Sequence, residues 1–178
     1  MRPWDNGAVE DAGVDGARSQ PLRDVLERDH REVDSAVERY ADGSASGADA
    51  RPALQQAVDD LRRHIYVEEE LLFPSLRAAG MLGPIMVMLR EHGQMWPVLD
   101  ELDQQLHDDA GDDVLGTACR GLLDLLQSHN PKEEQILYPQ VDGVLGPDAT
   151  LRVHEFLEAG RLPAGWQCQH LARARGDA

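Results

Sequence analysis

Cysteine is scarce in this 178-residue chain: only Cys119 and Cys168 occur, far apart and in unlike surroundings. Two such residues make no disulfide framework, so the natural setting is a reducing cytoplasm. Long apolar runs are missing too, since no stretch approaches the roughly 18–20 residues of a membrane span. The first twenty residues contain no apolar segment of the kind that directs secretion. Strand patterning is nearly absent, because β-branched and aromatic residues never alternate with polar ones over a useful length. Positive charge is the last shortage. Seventeen Lys and Arg face 33 Asp and Glu, for a net charge of −16. Such a surface repels phosphate backbones and anionic lipid, which argues against nucleic-acid or membrane partners.

What remains is helical. Residues 1–20 are rich in Gly, Asp and Ala without an apolar stripe, and are expected to form a mobile tail. From Leu22 the spacing becomes helical and stays so to about Ala159. Breaks at Asp42–Gly47, Gly80–Pro84 and Asp108–Asp113 predict four long helices, over about 21–41, 50–79, 84–107 and 113–143. Pro147 suits the first turn of a short fifth helix ending near Gly160. Residues 161–178 are expected to be an irregular C-terminal tail. Long helices joined by short loops predict an all-α, up-down-up-down four-helix bundle with a short fifth C-terminal helix, over residues 21–160.

The apolar stripes of these helices carry the wrong residues. The first runs Leu26, His30, Val33, Val37. The second runs Ala57, Leu61, His64, Glu68, Leu71, and the third Leu89, His92, Trp96, Leu99. The fourth runs Ala118, Leu122, Leu126, His129, Glu133, Leu137. Four histidines and two carboxylates thus point at the bundle axis. Buried without partners, they would overwhelm a domain whose whole stability is about 5–15 kcal/mol. A pair of first-row metal ions compensates them, since imidazole nitrogen and carboxylate oxygen are apt ligands.

The pattern is also duplicated. His64-x-x-x-Glu68-Glu69-x-x-Leu72-Phe73-Pro74 matches His129-x-x-x-Glu133-Glu134-x-x-Leu137-Tyr138-Pro139 at an offset of 65 residues. Arg28-Asp29-His30 matches Arg90-Glu91-His92 at an offset of 62. Each half is a helical hairpin that offers one His and then a His-x-x-x-Glu, whose members share a helix face. Two such hairpins paired about a two-fold axis predict a dinuclear site of His30, His64, Glu68, His92, His129 and Glu133. His107, His154 and His170 have no partner at ligand spacing and are expected on the surface. Cys119 reads as a buried small hydrophobe and Cys168 as a tail thiol. Pro97 and Pro131, close to His92 and His129, are expected to disturb their helices.

These residues resemble the hemerythrin-like, or HHE cation-binding, family over about residues 21–143. The resemblance implies a non-haem di-iron centre in four helices, with an oxo or hydroxo bridge among the ligands that could complete it. His30 and His64 would serve one iron, His92 and His129 the other, and Glu68 and Glu133 both. The oxygen carriers of that family have a further His where this chain has Trp96; the matching place in the first half holds Asp34, a weak extra donor. The missing imidazole implies a protein that binds or reacts with dioxygen, peroxide or nitric oxide, rather than a simple reversible carrier. The alternatives are a peroxide-consuming or oxygen-activating di-iron enzyme, and iron storage or iron-centre repair. Trp96 is expected to shield an open metal position.

Overall fold

The computed structural model describes residues 20–45 and 48–176. The tail expected at the N-terminus lies outside the described residues up to position 19. Four helical rods form the bundle, and no strand occurs among the described residues. The first rod is α1 (Leu22–Ala41). The second comprises α2 (Ala50–Tyr66), a wide π-helical segment (Val67–Leu72) and α3 (Phe73–Ala78). The third is α4 (Leu82–His107). The fourth comprises α5 (Asp112–Lys132), a second π-helical segment (Glu133–Leu137) and α6 (Tyr138–Val144). The helix α7 (Pro147–Ala159) follows, and α8 (Gln169–Gly176) closes the chain. Around the axis α1 packs on α2 and α5, and α4 packs on α2 and α5, which closes the up-down-up-down ring. No helix among the described residues is long and apolar enough to cross a membrane.

The boundaries follow from ordinary signals. Pro52 sits in the opening turn of α2 and Pro147 at the start of α7, where a missing N–H costs nothing. Gly80 and Gly43 take positive φ at the breaks, a conformation other residues adopt at a cost. The core is divided. One apolar cluster gathers Val33, Val37, Leu54, Leu61, Met95, Leu99, Leu122 and Leu126, while the other gathers Leu22, Leu26, Leu72, Phe73, Ile85, Leu89, Leu137 and Val141. Along all four rods the predicted donors fall between these clusters. A polar layer is therefore sandwiched in the bundle.

Two expectations about prolines need correction. Pro97 does not break its rod, since α4 runs continuously through it. Pro131 also lies inside α5 and precedes a π segment, but the equivalent segment in the first half follows Tyr66, with no proline there. The proline common to both segments comes after them, Pro74 and Pro139, and it lacks an N–H and crowds the carbonyl four residues back. The widened turn accommodates this: the Phe73 N–H bonds the Glu68 carbonyl and the Tyr138 N–H that of Glu133, each five residues back.

The chain beyond Gly160 is not a loose tail. Cys168 is fully buried, Trp166 packs edge-on against Trp96 at 5.3 Å, and α8 lies against α4. Gly93 makes that approach possible, because a Cβ there would meet the His170 ring at 2.8 Å from Cγ. His154, expected on the surface, is buried as well, on the inner side of α7. His107 and His170 are exposed and Cys119 is buried, as expected.

Candidate metal centre

All six predicted donors lie in the polar layer, none more than 4% exposed. They form two overlapping groups whose donor atoms lie within 4.8 Å of one another: His30, His64, Glu68 and Glu133 in one, Glu68, His92, His129 and Glu133 in the other. The two glutamates are shared. Glu68 reaches His64 Nε2 at 3.5 Å and His92 Nε2 at 3.2 Å, while Glu133 reaches His129 Nε2 at 3.2 Å and His30 Nε2 at 3.5 Å. Asp34 joins neither group; its Oδ2 accepts from the Asn130 amide at 3.1 Å.

Each histidine turns Nε2 inward because a carboxylate holds its other nitrogen. His30 Nδ1 donates to Glu134 at 3.0 Å, His92 Nδ1 to Glu69 at 2.8 Å, and His129 Nδ1 to Glu91 at 3.0 Å. Asp29 stands 3.5 Å from His64 Nδ1. A carboxylate only accepts, so each Nδ1 carries a proton, and Nε2 is the nitrogen that would ligate a metal on losing its own. The arrangement obeys the internal repeat. The acid before the first histidine of each hairpin, Asp29 or Glu91, serves the second histidine of that hairpin. The acid after each inward glutamate, Glu69 or Glu134, crosses to the other half.

Sequence reasoning missed these four acids, although they sit in the quoted motifs. Consecutive residues of an α-helix point about 100° apart, so Glu68 and Glu69 are not expected to be buried together. The π segment changes this, and both are at most 1% exposed. The C-terminal segment then completes the shell. The Gln169 backbone N–H donates to Glu69 Oε2 at 2.6 Å, and its side-chain amide to the Glu69 carbonyl at 3.2 Å. That carbonyl lies five residues before Pro74, whose missing N–H leaves it free.

A second omission is Tyr138. Its hydroxyl donates to Glu68 Oε1 at 2.7 Å and lies 2.9 Å from His64 Nε2, 3.0 Å from His30 Nε2 and 3.2 Å from Glu133 Oε2. It thus stands among the donors of the first group. In the Leu-aromatic-Pro context a tyrosine reads as core, and only its contrast with Phe73 signals otherwise.

The electrostatics of the layer call for cations. Burial opposes the charged form of His64, but Glu68 and Asp29 outweigh it and push the imidazole up to about 10. Burial is likewise overcome at His92 by Glu133, Glu68 and Glu69, and at His129 by Glu133, so both are raised. Burial and the neighbouring Glu133 work against ionised Glu68, yet His64 and His92 hold it low; Glu133 is held well below its ordinary range by His129, His30 and His92. Burial, with Glu133 and Glu68 close by, pushes the Tyr138 phenol well up. Six carboxylates surround four imidazoles, and the outlying Glu91 alone among them also meets Lys132 at 2.8 Å and Arg90 at 3.7 Å. Glu68 Oε2, His92 Nε2 and Glu133 Oε1 are buried without hydrogen-bond partners. Converging orphaned donors of this kind fit a metal pair.

The Hemerythrin HHE cation binding domain family matches residues 22–141, which takes in the first three rods, the fourth to within three residues of its end, and all six donors. No curated protein and no solved structure matched the chain.

Proposed function

Because the chain belongs to the hemerythrin HHE cation-binding domain family, we propose that its two overlapping groups hold two iron ions. His30 and His64 would ligate one, His92 and His129 the other, and Glu68 and Glu133 both. The observation that carries this reading is the orientation of the rings: each Nδ1 faces a carboxylate, and each Nε2 faces the shared glutamates. Iron held in this way supplies redox chemistry and open positions for a small ligand, namely dioxygen, peroxide or nitric oxide. The chain contributes a buried chamber between two apolar clusters, with acids that fix the ligand rings.

The halves are not equivalent, and the difference bears on the chemistry. In the first group the Tyr138 hydroxyl supplies an additional oxygen beside His30 and His64. In the second, the Phe73 ring stacks on His92 and offers no donor. Small-ligand exchange is therefore favoured on the His92 and His129 side. The Tyr138 proton, held at Oη against Glu68 Oε1, favours a second reading in which peroxide or oxygen is reduced rather than only bound.

Anaerobic reconstitution with ferrous iron tests the proposal. Two irons per chain are expected, with separate optical changes on adding oxygen, peroxide and nitric oxide. A His64→Ala, His129→Ala double variant should lose the pair. If that variant retained two tightly held irons, the ligand set would be wrong.

A further inference from the structure

Aromatic residues are few in this chain, yet four of them form one continuous row. The row starts at Trp96, which is buried and follows His92 by one turn on the same face of α4. The Trp96 ring meets Trp166 at a centroid distance of 5.3 Å, Trp166 meets Tyr66 at 5.0 Å, and Tyr66 stacks on Phe156 at 4.6 Å. Trp166 and Tyr66 are half-buried, so the row runs from beside a proposed ligand to the surface. Its outer indole is also equipped to lose a proton: the Trp166 N–H donates to the exposed Glu70 carboxylate at 3.1 Å.

Packing alone does not ask for this composition, since the rest of the core is filled chiefly by aliphatic side chains. Indole and phenol are the rings that most readily give up an electron, and they occupy the first three places. The row also begins on the side of His92 and His129, where exchange of a small ligand is favoured. Tyr138 stands closer to the proposed irons, but its ring neighbours are His30 and His64 of the same layer. It is 1% exposed, and among the described residues no aromatic contact leads outward from it.

We propose that this row carries electrons inward from the surface and makes the chain a peroxidase toward small neutral phenols. Hydrogen peroxide takes up two electrons and two protons to give two waters. With both irons already ferric, those electrons are drawn along the row, one at a time, from Trp166 through Trp96. The Trp166 indole, short of an electron, passes its N–H proton to Glu70. A phenol at the surface then returns the electron, and Glu70 returns the proton. Over two rounds, two phenols and one peroxide become two phenoxyl radicals and two waters. A neutral donor is specified because a net charge of −16 repels anions. The inference rests on the reading of the centre as an iron pair that reduces peroxide.

The test is to treat the iron-loaded full chain with hydrogen peroxide, without a donor, and to locate oxidised residues by peptide mass analysis. Trp166 and Tyr66 should be oxidised, while Met86, exposed and outside the row, should be spared. Trp96→Phe keeps an aromatic ring but interrupts the row; with two irons bound it should lose the oxidation of Trp166 and Tyr66. Trp166→Phe alters a half-buried position and serves if Trp96→Phe does not take up the pair. It should lose the oxidation of Tyr66, gain oxidation at Trp96, and oxidise guaiacol with peroxide more slowly than the parent. Oxidation of Tyr66 unchanged in Trp166→Phe, or of Met86 in step with Trp166, would overturn the row while leaving the centre intact. A parent chain that held no iron pair, or held one that left peroxide unconsumed, would overturn the reading of the centre and the row with it.

Discussion

Phe73 and Tyr138 hold equivalent places in the two halves of the repeat, and the hydroxyl that separates them breaks the symmetry of the centre. Phe73 stacks on His92 with ring centroids 5.8 Å apart and planes 8° from parallel. Tyr138 instead drives an oxygen between His30 and His64, 2.9 Å from the nearer Nε2.

Tyr138→Phe should therefore make the halves alike. The variant should still take up two metals, because all six proposed ligands remain. Its visible spectrum with iron should lose whatever part the phenol oxygen contributes, and its response to peroxide should slow. In the metal-free state the lost hydrogen bond to a buried carboxylate should cost about 1.5–3 kcal/mol. Denaturant unfolding and optical titration, run side by side, check both. An unchanged spectrum would place the hydroxyl outside the coordination sphere.

Glu69→Gln should weaken metal binding without touching a proposed ligand. Glu69 accepts from His92 Nδ1 at 2.8 Å, and a neutral amide oxygen there is a weaker acceptor that holds and polarises the ring less. Losing such a partner typically costs about 10–100-fold in metal affinity. The neighbour Glu70 is exposed and bonds only the Trp166 indole, so Glu70→Gln should bind metal as the parent does. Competition with a chelator of known affinity separates the two.

Metal removal and pH should act in opposite senses on the two forms of the protein. In the metal-free chain His64 titrates near 10 rather than at its ordinary 6.5, because Glu68 and Asp29 favour its charged form over the cost of burial. Its contribution to stability is complete below about pH 6.5 and is lost as the pH rises through about 10. Metal-free melting temperature should fall across that window. Ligation requires the neutral ring, so metal uptake releases protons and tightens as the pH rises. The loaded protein should resist alkali, melt higher than the metal-free form at neutral pH, and lose its metal below about pH 5. Identical melting curves for the two forms at neutral pH would contradict this.

The bundle was legible because it follows local rules. Apolar spacing located the four rods, and the breaks fell where Gly and Asp interrupt it. The six donors stood out because a polar residue on an apolar stripe needs a compensating partner. The supporting acids did not stand out, for a geometric reason. With uniform α-helical rotation, Glu69 and Glu134 point away from the axis, and only the π segments bring them in. Those segments trace to Pro74 and Pro139, which come after the widened turns, and not to Pro97 and Pro131 near the ligands. The burial of His154 and Cys168 was equally hidden. It depends on where α7 and the residues around Trp166 dock, and that is settled by tertiary contacts rather than by periodicity.

Trp96 stands one turn from His92 on α4, where the oxygen carriers that the chain resembles have a further ligand. Its ring meets Trp166 of the C-terminal segment edge-on at 5.3 Å, and the Arg62 guanidinium of the second rod lies 5.8 Å from its centre. Arg62 is held in turn by Asp100 and Asp103. Trp96→Ala should therefore act first on packing, costing about 3–5 kcal/mol as buried indoles do. It should also loosen the segment that carries Gln169 to Glu69. Cys168 reports that loosening directly, because the thiol is buried in the parent chain. In Trp96→Ala it should react with a thiol reagent under native conditions while Cys119 stays protected, and metal affinity should drop through the weakened hold on Glu69. Cys168 protection equal to the parent's would show that Trp96 does not anchor the C-terminal segment.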